Sequence, residues 1–95
     1  MRTRRFPHVG TIHYLNRLET TFLVDEVWGQ KAYLDFKPVL TTDDVVLDVG
    51  ANIGLTSLFM AETTGARVYA FEPISSTYEV LRANVDLRQI GRAHV

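Results

Sequence analysis

Two carboxylates stand where an α/β chain would do chemistry. Asp48 lies inside an apolar run, Val45-Val-Leu-Asp-Val49, that leads directly into a glycine turn, Gly50-Ala-Asn-Ile-Gly54. Glu72 ends a second run, Val68-Tyr-Ala-Phe-Glu72, and is followed by Pro73. In a parallel α/β sheet ligands bind at the carboxyl ends of the strands, and an acid about 20 residues past a glycine turn accepts hydrogen bonds from a ribose. Glu72 follows Gly50 by 22 residues. The pattern points to a nucleoside cofactor.

The turn narrows the choice of cofactor. A dinucleotide site carries G-x-G-x-x-G, whose middle glycine lets the backbone approach a pyrophosphate; here Asn52 occupies that place. Asp48, two residues before Gly50, would repel a pyrophosphate but attract a cation. S-adenosylmethionine (SAM) has a cationic α-ammonium and sulfonium joined to an adenosine whose ribose needs an acceptor. Asp48 and Glu72 match those two ends. A nicotinamide-dependent dehydrogenase and a non-catalytic nucleoside-binding module are the other readings, the first disfavoured by Asn52 and Asp48. A bare strand-to-helix connection would also use a G-x-x-x-G turn, but it would leave Asp48 in an apolar run with no task, and an unpaired buried carboxylate is costly.

At these positions the chain resembles the class I SAM-dependent methyltransferases, and within them the FkbM-type family. The matching residues are Asp48 to Gly54, Ser57-Leu58, Ala70 to Pro73, and Leu81-Arg-Ala-Asn-Val85, with a weaker likeness in Glu19-Thr-Thr-Phe-Leu23 and Tyr33-Leu34. The likeness covers about residues 19 to 88. It implies that Asp48 holds the methionine end of SAM, that Gly50, Ala51 and Asn52 form the turn beneath it, that Gly54 lets the helix start close against the strand, and that Glu72 accepts from the ribose hydroxyls. It further implies transfer of a methyl group to a hydroxyl of a sugar, polyketide, peptide or lipid. A place inside a larger synthetase is compatible with it. No residue is assigned as the catalytic base.

The elements that must position these residues follow from periodicity. Val45–Val49 and Arg67–Phe71 read as strands, and Leu55, Leu58 and Phe59 form one helical face between them, ended by Gly65. Ser76-Thr-Tyr-Glu79 has the form of a capping box, opening a helix whose stripe is Tyr78, Leu81 and Val85. Strand, helix, strand, helix predicts a parallel α/β sheet with right-handed crossovers, a Rossmann-like arrangement. Alternation sets Phe71 opposite Glu72, in the core. Asn84 is expected to be a solvated or capping residue.

Upstream, residues 1 to 14 show no periodicity and read as a flexible lead. Leu15, Leu18, Phe22 and Val27 recur at helical spacing, predicting a helix over 16 to 28 that stops near Gly29. Lys31 to Val39 is an extended piece broken by Pro38, and Thr41 to Asp44 is a polar turn. Trp28 and Tyr33 are expected to pack rather than bind. The chain thus divides into a lead-in, 1 to 40, and a SAM-binding portion, 41 to 89.

Composition bounds the remainder. The 95 residues are 46% hydrophobic with a net charge of −1, which gives no global signal for nucleic acid or an anionic membrane. The absence of cysteine excludes disulfides and thiolate metal sites and accords with a cytoplasmic setting. No apolar stretch is long enough to span a membrane, and the basic start, Met1 to Arg5, leads into Phe6-Pro7-His8 instead of a signal-peptide core. His8, His13 and His94 are scattered without ligand spacing and are expected to be exposed.

The family fold implied by the resemblance has seven strands, of which this chain supplies the first two. The acceptor pocket and any catalytic acid or base would then lie largely in the other part, so the chain is expected to be truncated. Ile90-Gly-Arg-Ala-His-Val95 matches the translation of a common short-read sequencing adapter, so foreign sequence is expected there.

Overall fold

The computed structural model describes residues 1–30, 40–88 and 93–95. Its centre is a parallel sheet. Strand β3 (Val45–Val49) and strand β4 (Arg67–Phe71) pair in register from Val45↔Arg67 to Val49↔Phe71. Helix α2 (Leu55–Thr64) joins them, and helix α3 (Ser75–Arg88) follows β4. This is the expected β-α-β-α order, and it brings both candidate acids to the carboxyl edge of the sheet.

A third strand was not anticipated. Ala93–His94, strand β5, pairs parallel with β4 through Val68↔Ala93 and Tyr69↔His94, giving the order β3-β4-β5. Ala93 is buried, and the exposed His94 ring stacks on Tyr69 with centroids 4.9 Å apart. Backbone pairing is blind to side-chain identity, so this strand says nothing of the origin of the hexapeptide. Residues 90–92 of that hexapeptide lie outside the described residues.

One face of the sheet is covered. Val68 and Ala70 pack with Leu58, Met60 and Ala61 of α2 and with Leu81 and Val85 of α3. The other face carries Val45, Leu47, Val49 and Phe71, which are 51–81% exposed. Phe71 is therefore not in the core of this chain; alternation does set it opposite the covered residues, but nothing among the described residues lies over that side.

The first 14 residues are ordered, contrary to the flexible lead expected. Strands β1 (Arg2–Phe6) and β2 (Gly10–Tyr14) form an antiparallel hairpin closed through Pro7, His8 and Val9, with His8 at φ 68°. Phe6, Ile12 and Tyr14 turn inward, Phe6 and Tyr14 meeting edge to face at 5.4 Å. Helix α1 (Arg17–Val24) is capped by Asn16, whose side chain accepts the Glu19 N–H at 2.9 Å, and continues into a π-helical turn, Asp25–Gly29. The helix expected over 16 to 28 is present, but its buried face is Thr20, Val24 and Val27; Leu18 and Phe22 are 83% and 71% exposed. Val27 is the member of the expected stripe that turns inward; the rest of the buried face is Val24 and the small polar residue Thr20. The extended piece Lys31 to Val39, with Tyr33, lies outside the described residues.

This N-terminal layer packs on the outer side of α2. Phe6, Val9, Ile12, Tyr14 and Val24 cluster with Ile53, Leu55 and Val80. Trp28 packs as expected: its Nε1–H donates to the Leu55 carbonyl at 3.1 Å and its ring meets Phe59 edge to face at 5.2 Å. Helix α2 is thus covered on both sides, and it ends at Gly65, which takes φ 75° and donates its N–H to the Ala61 carbonyl. Arg88 ties the layers together from α3, donating to the Val9 carbonyl and pairing with Glu62 at 2.9 Å.

Two local expectations are corrected here. Helix α3 starts at Ser75, which puts Ser76 inside its first turn; the pre-helix place belongs to Ile74, whose carbonyl accepts the Tyr78 N–H. His13 is half-buried, with its Nδ1 2.9 Å from the Thr3 hydroxyl.

Candidate functional site

The turn after β3 is built from left-handed positions. Gly50, Asn52 and Gly54 have φ of 76°, 55° and 97°, a backbone that only glycine and, less readily, asparagine adopt without strain. The N–H groups of Gly50 and Ala51 both donate to the Phe71 carbonyl, at 2.8 and 2.9 Å. The end of β4 therefore holds the turn in place.

Glu72 completes that tie. One carboxylate oxygen accepts the Asn52 N–H at 2.9 Å and the other accepts the Ile74 N–H at 3.1 Å. The carboxylate thus bridges the glycine turn and the start of α3. An ionised carboxylate has about four lone-pair sites, so these two bonds leave it able to accept from a further donor. Asp48, half-buried, accepts the Ser57 hydroxyl on Oδ2 at 2.6 Å. This answers the demand for a partner that the apolar run imposes on the carboxylate.

Two clefts open on either side of Asn52. One, of about 190 Å³, is lined by Asp48, Gly50, Ala51 and Asn52, with Leu23 and Val27 across from them. The other, of about 230 Å³, is lined by Asn52, Glu72 and Ile74, with Leu15, Glu19 and Leu23 on the far wall. Leu23 lines both. Five of the six expected binding residues therefore meet along one edge, and helix α1 with its π-helical turn supplies the opposite wall. Leu15 and Val27 of that wall belong to the expected helical stripe, whereas Glu19 and Leu23 do not, and periodicity alone does not show that this helix faces the turn.

Gly54 is placed differently from the expectation. A Cβ there would lie 2.6 Å from the Leu81 Cδ1 of α3, so the close approach that demands glycine is to α3, not to β3 or to a cleft. At Gly50 a Cβ would meet nothing within 4 Å. That open space beside the turn suits a ligand lying against the backbone, and a carboxylate at each end of the site suits one with a cation at one end and hydroxyls at the other.

Asn84 is the clearest correction. Expected at the surface, it is fully buried. Its Oδ1 accepts the His13 N–H at 2.6 Å, and its Nδ2 donates to the carbonyls of His13 and Ile53 at 3.1 and 2.8 Å. It belongs to the frame behind the site.

The chain resembles known proteins along most of its length. The chain is 42% identical over 92 residues, 95% of its length, to the 31-O-demethyl-FK506 methyltransferase FkbM of Streptomyces tacrolimicus. The chain belongs to the FkbM-type methyltransferases. This FkbM-type chain is also 46% identical over 72 residues to the AMB antimetabolite synthetase AmbE of Pseudomonas aeruginosa, covering 75% of itself, and 35% identical over 74 residues to the methyltransferase sdnD of Sordaria araneosa, covering 77%. It spans 35% of FkbM, 28% of sdnD and 3% of AmbE. A crystal structure of a Pyrococcus horikoshii protein assigned as a transferase superposes on 67% of the chain, and on 25% of its own, with a TM-score of 0.59 and 31% identity. The Rossmann-like α/β fold, with its parallel sheet, is thereby established for the FkbM-type segment. No family model matches the chain.

Proposed function

We propose that this chain forms the SAM-binding part of an O-methyltransferase. The observation that carries the reading is the edge formed by β3 and β4, where a glycine turn with open space at Gly50 lies between the Asp48 and Glu72 carboxylates. Asp48 would hold the α-ammonium end of the cofactor and Glu72 the ribose hydroxyls, with Gly50, Ala51 and Asn52 beneath. When bound, SAM supplies an electrophilic methyl group on sulfur. The chain's own share is to orient the cofactor, so that an acceptor hydroxyl held by the remainder of the site meets the methyl in line; such positioning accounts for much of the acceleration in two-substrate reactions. No described side chain is assigned to take the hydroxyl proton.

The hydroxyl acceptor is part of the proposal, supported by the O-methyl chemistry in the name of the Streptomyces relative. Similarity to a segment of a synthetase supports a second setting, in which the acceptor is carried by a larger assembly. Among the described residues no helix is long and apolar enough to cross a membrane, and the cytoplasm is the proposed location. The decisive test is calorimetry with SAM and with NAD on the protein expressed from its complete reading frame. SAM binding that is weakened in Asp48→Ala and Glu72→Ala supports the proposal; preference for NAD, or SAM affinity unchanged in both variants, overturns it.

A further inference from the structure

Among the described residues, four helical hydroxyl side chains make hydrogen bonds, and one of them differs from the rest. Thr21, Thr63 and Thr64 bond back to the carbonyls four residues earlier, those of Arg17, Phe59 and Met60, at 2.6–2.8 Å. This is the usual resort of a helical hydroxyl. Ser57, in the first turn of α2, does otherwise. Its equivalent carbonyl, that of Ile53, is engaged by the Asn84 amide, and the Ser57 hydroxyl instead crosses to Asp48 Oδ2 at 2.6 Å.

Ser57 is fully buried, so its hydroxyl has no solvent to fall back on. Asp48 sits on a strand and Ser57 on the helix that follows the glycine turn, and their bond spans that turn. A carboxylate in one rotamer, with one oxygen already committed, presents the other without a conformational cost at the moment of binding. Sites are made precise in this way when a supporting hydrogen bond locks the rotamer of the group that contacts the ligand.

We infer that Ser57 is a positioning residue for the cofactor: it fixes the Asp48 carboxylate so that its second oxygen is free for the cationic end of SAM. The inference rests on the proposed SAM site. It assigns a task to a residue that touches neither cleft, and it makes the first turn of α2 part of the recognition machinery.

The test is a double-mutant cycle read by SAM calorimetry on the protein from its complete reading frame, with thermal melting as a control. Ser57→Ala and the volume-conserving Ser57→Cys are each expected to weaken SAM roughly tenfold, the scale of one hydrogen bond to a charged group. Ser57→Thr, which keeps the hydroxyl, should restore most of the affinity. In an Asp48→Ala background, Ser57→Ala should cost nothing further. Loss of SAM affinity by the same factor in both backgrounds would show a merely structural role and overturn the inference. An unchanged affinity in Ser57→Ala and Ser57→Cys beside a weakened Asp48→Ala would overturn it while leaving the SAM site standing. If Asp48→Ala itself binds SAM normally, the site and the inference fall together.

Discussion

The side-chain amide of Asn84 clasps the backbone of His13. It accepts the N–H at 2.6 Å and donates to the carbonyl at 3.1 Å, while the same nitrogen reaches the Ile53 carbonyl at 2.8 Å. One buried side chain thus joins the N-terminal hairpin, helix α3 and the glycine turn of the cofactor edge. Helix α1, which follows that hairpin after two residues, forms the far wall of both clefts. The position of the wall is therefore coupled to the turn through Asn84.

Loss of that amide should be expensive. Asn84→Ala would leave two carbonyls and an N–H without their partner, and a destabilisation of about 1–3 kcal/mol is expected, the cost of unsatisfied buried polar groups. Asn84→Asp should be worse, since a carboxylate would face two carbonyl oxygens in a site without solvent. Urea unfolding of the two variants checks both the magnitude and the order. An Asp variant as stable as the wild type would show that the clasp contributes little.

Glu72 has two tasks and should show it on substitution. Glu72→Ala is expected to weaken SAM by about 1–3 kcal/mol, and Asp48→Ala by as much or more. Glu72→Gln is the informative case. The bridge needs two acceptors, for the Asn52 and Ile74 N–H groups, and an amide offers one oxygen, its NH₂ then confronting a donor. Glutamine should therefore bind SAM no better than alanine does. Near-normal affinity in the Gln variant would mean that the bridge is incidental to binding.

The two glycines flanking the turn should fail in different ways. At Gly54 a methyl group would meet Leu81 at 2.6 Å and the backbone is left-handed, so Gly54→Ala should lower stability by about 1–3 kcal/mol through overpacking and strain. Its SAM affinity, measured well below the melting temperature, should stay close to normal. At Gly50 the space is open but φ is 76°, so Gly50→Val should lose stability through backbone strain without overpacking, and should lose SAM binding more completely than either acid variant. Paired melting and calorimetry on these two proteins would separate the roles; the reverse pattern would exchange them.

Much of this was legible in the sequence because it depends on short-range order. An apolar run, a glycine turn and a second run within 30 residues define a β-α-β unit, and the acids at the strand ends are fixed by the same register. Asn84 and Ser57 were not legible as structural residues. The importance of Asn84 lies in contacts with His13, 71 positions away, and Ile53, 31 positions away, and that of Ser57 in a hydroxyl that does not bond its local carbonyl, neither of which leaves a periodic trace. The hairpin escaped notice because β1 contributes only Phe6 to the core and is otherwise charged or polar and exposed, so its alternation is masked. The helix stripe misled for the opposite reason: Leu18 and Phe22 are apolar at the right spacing but face outward.

The final prediction concerns the bare side of the sheet. The N-terminal layer covers α2, and the sheet face left open carries Val45, Leu47, Val49 and Phe71. Strand β3 is also an edge strand among the described residues, with its outer backbone groups free to pair. A contiguous apolar face next to an unpaired edge is a template for association. The 95-residue chain alone should therefore precipitate or give poorly dispersed amide spectra, and it should not transfer methyl groups. Leu47→Lys with Val49→Lys should make this chain more soluble, because both side chains lie on the bare face and away from the core. If the complete reading frame supplies a cover for that face, the same two substitutions should destabilise the protein it encodes. A sharp cooperative melt with measurable methyl transfer by the unsubstituted chain would refute this account of the bare face.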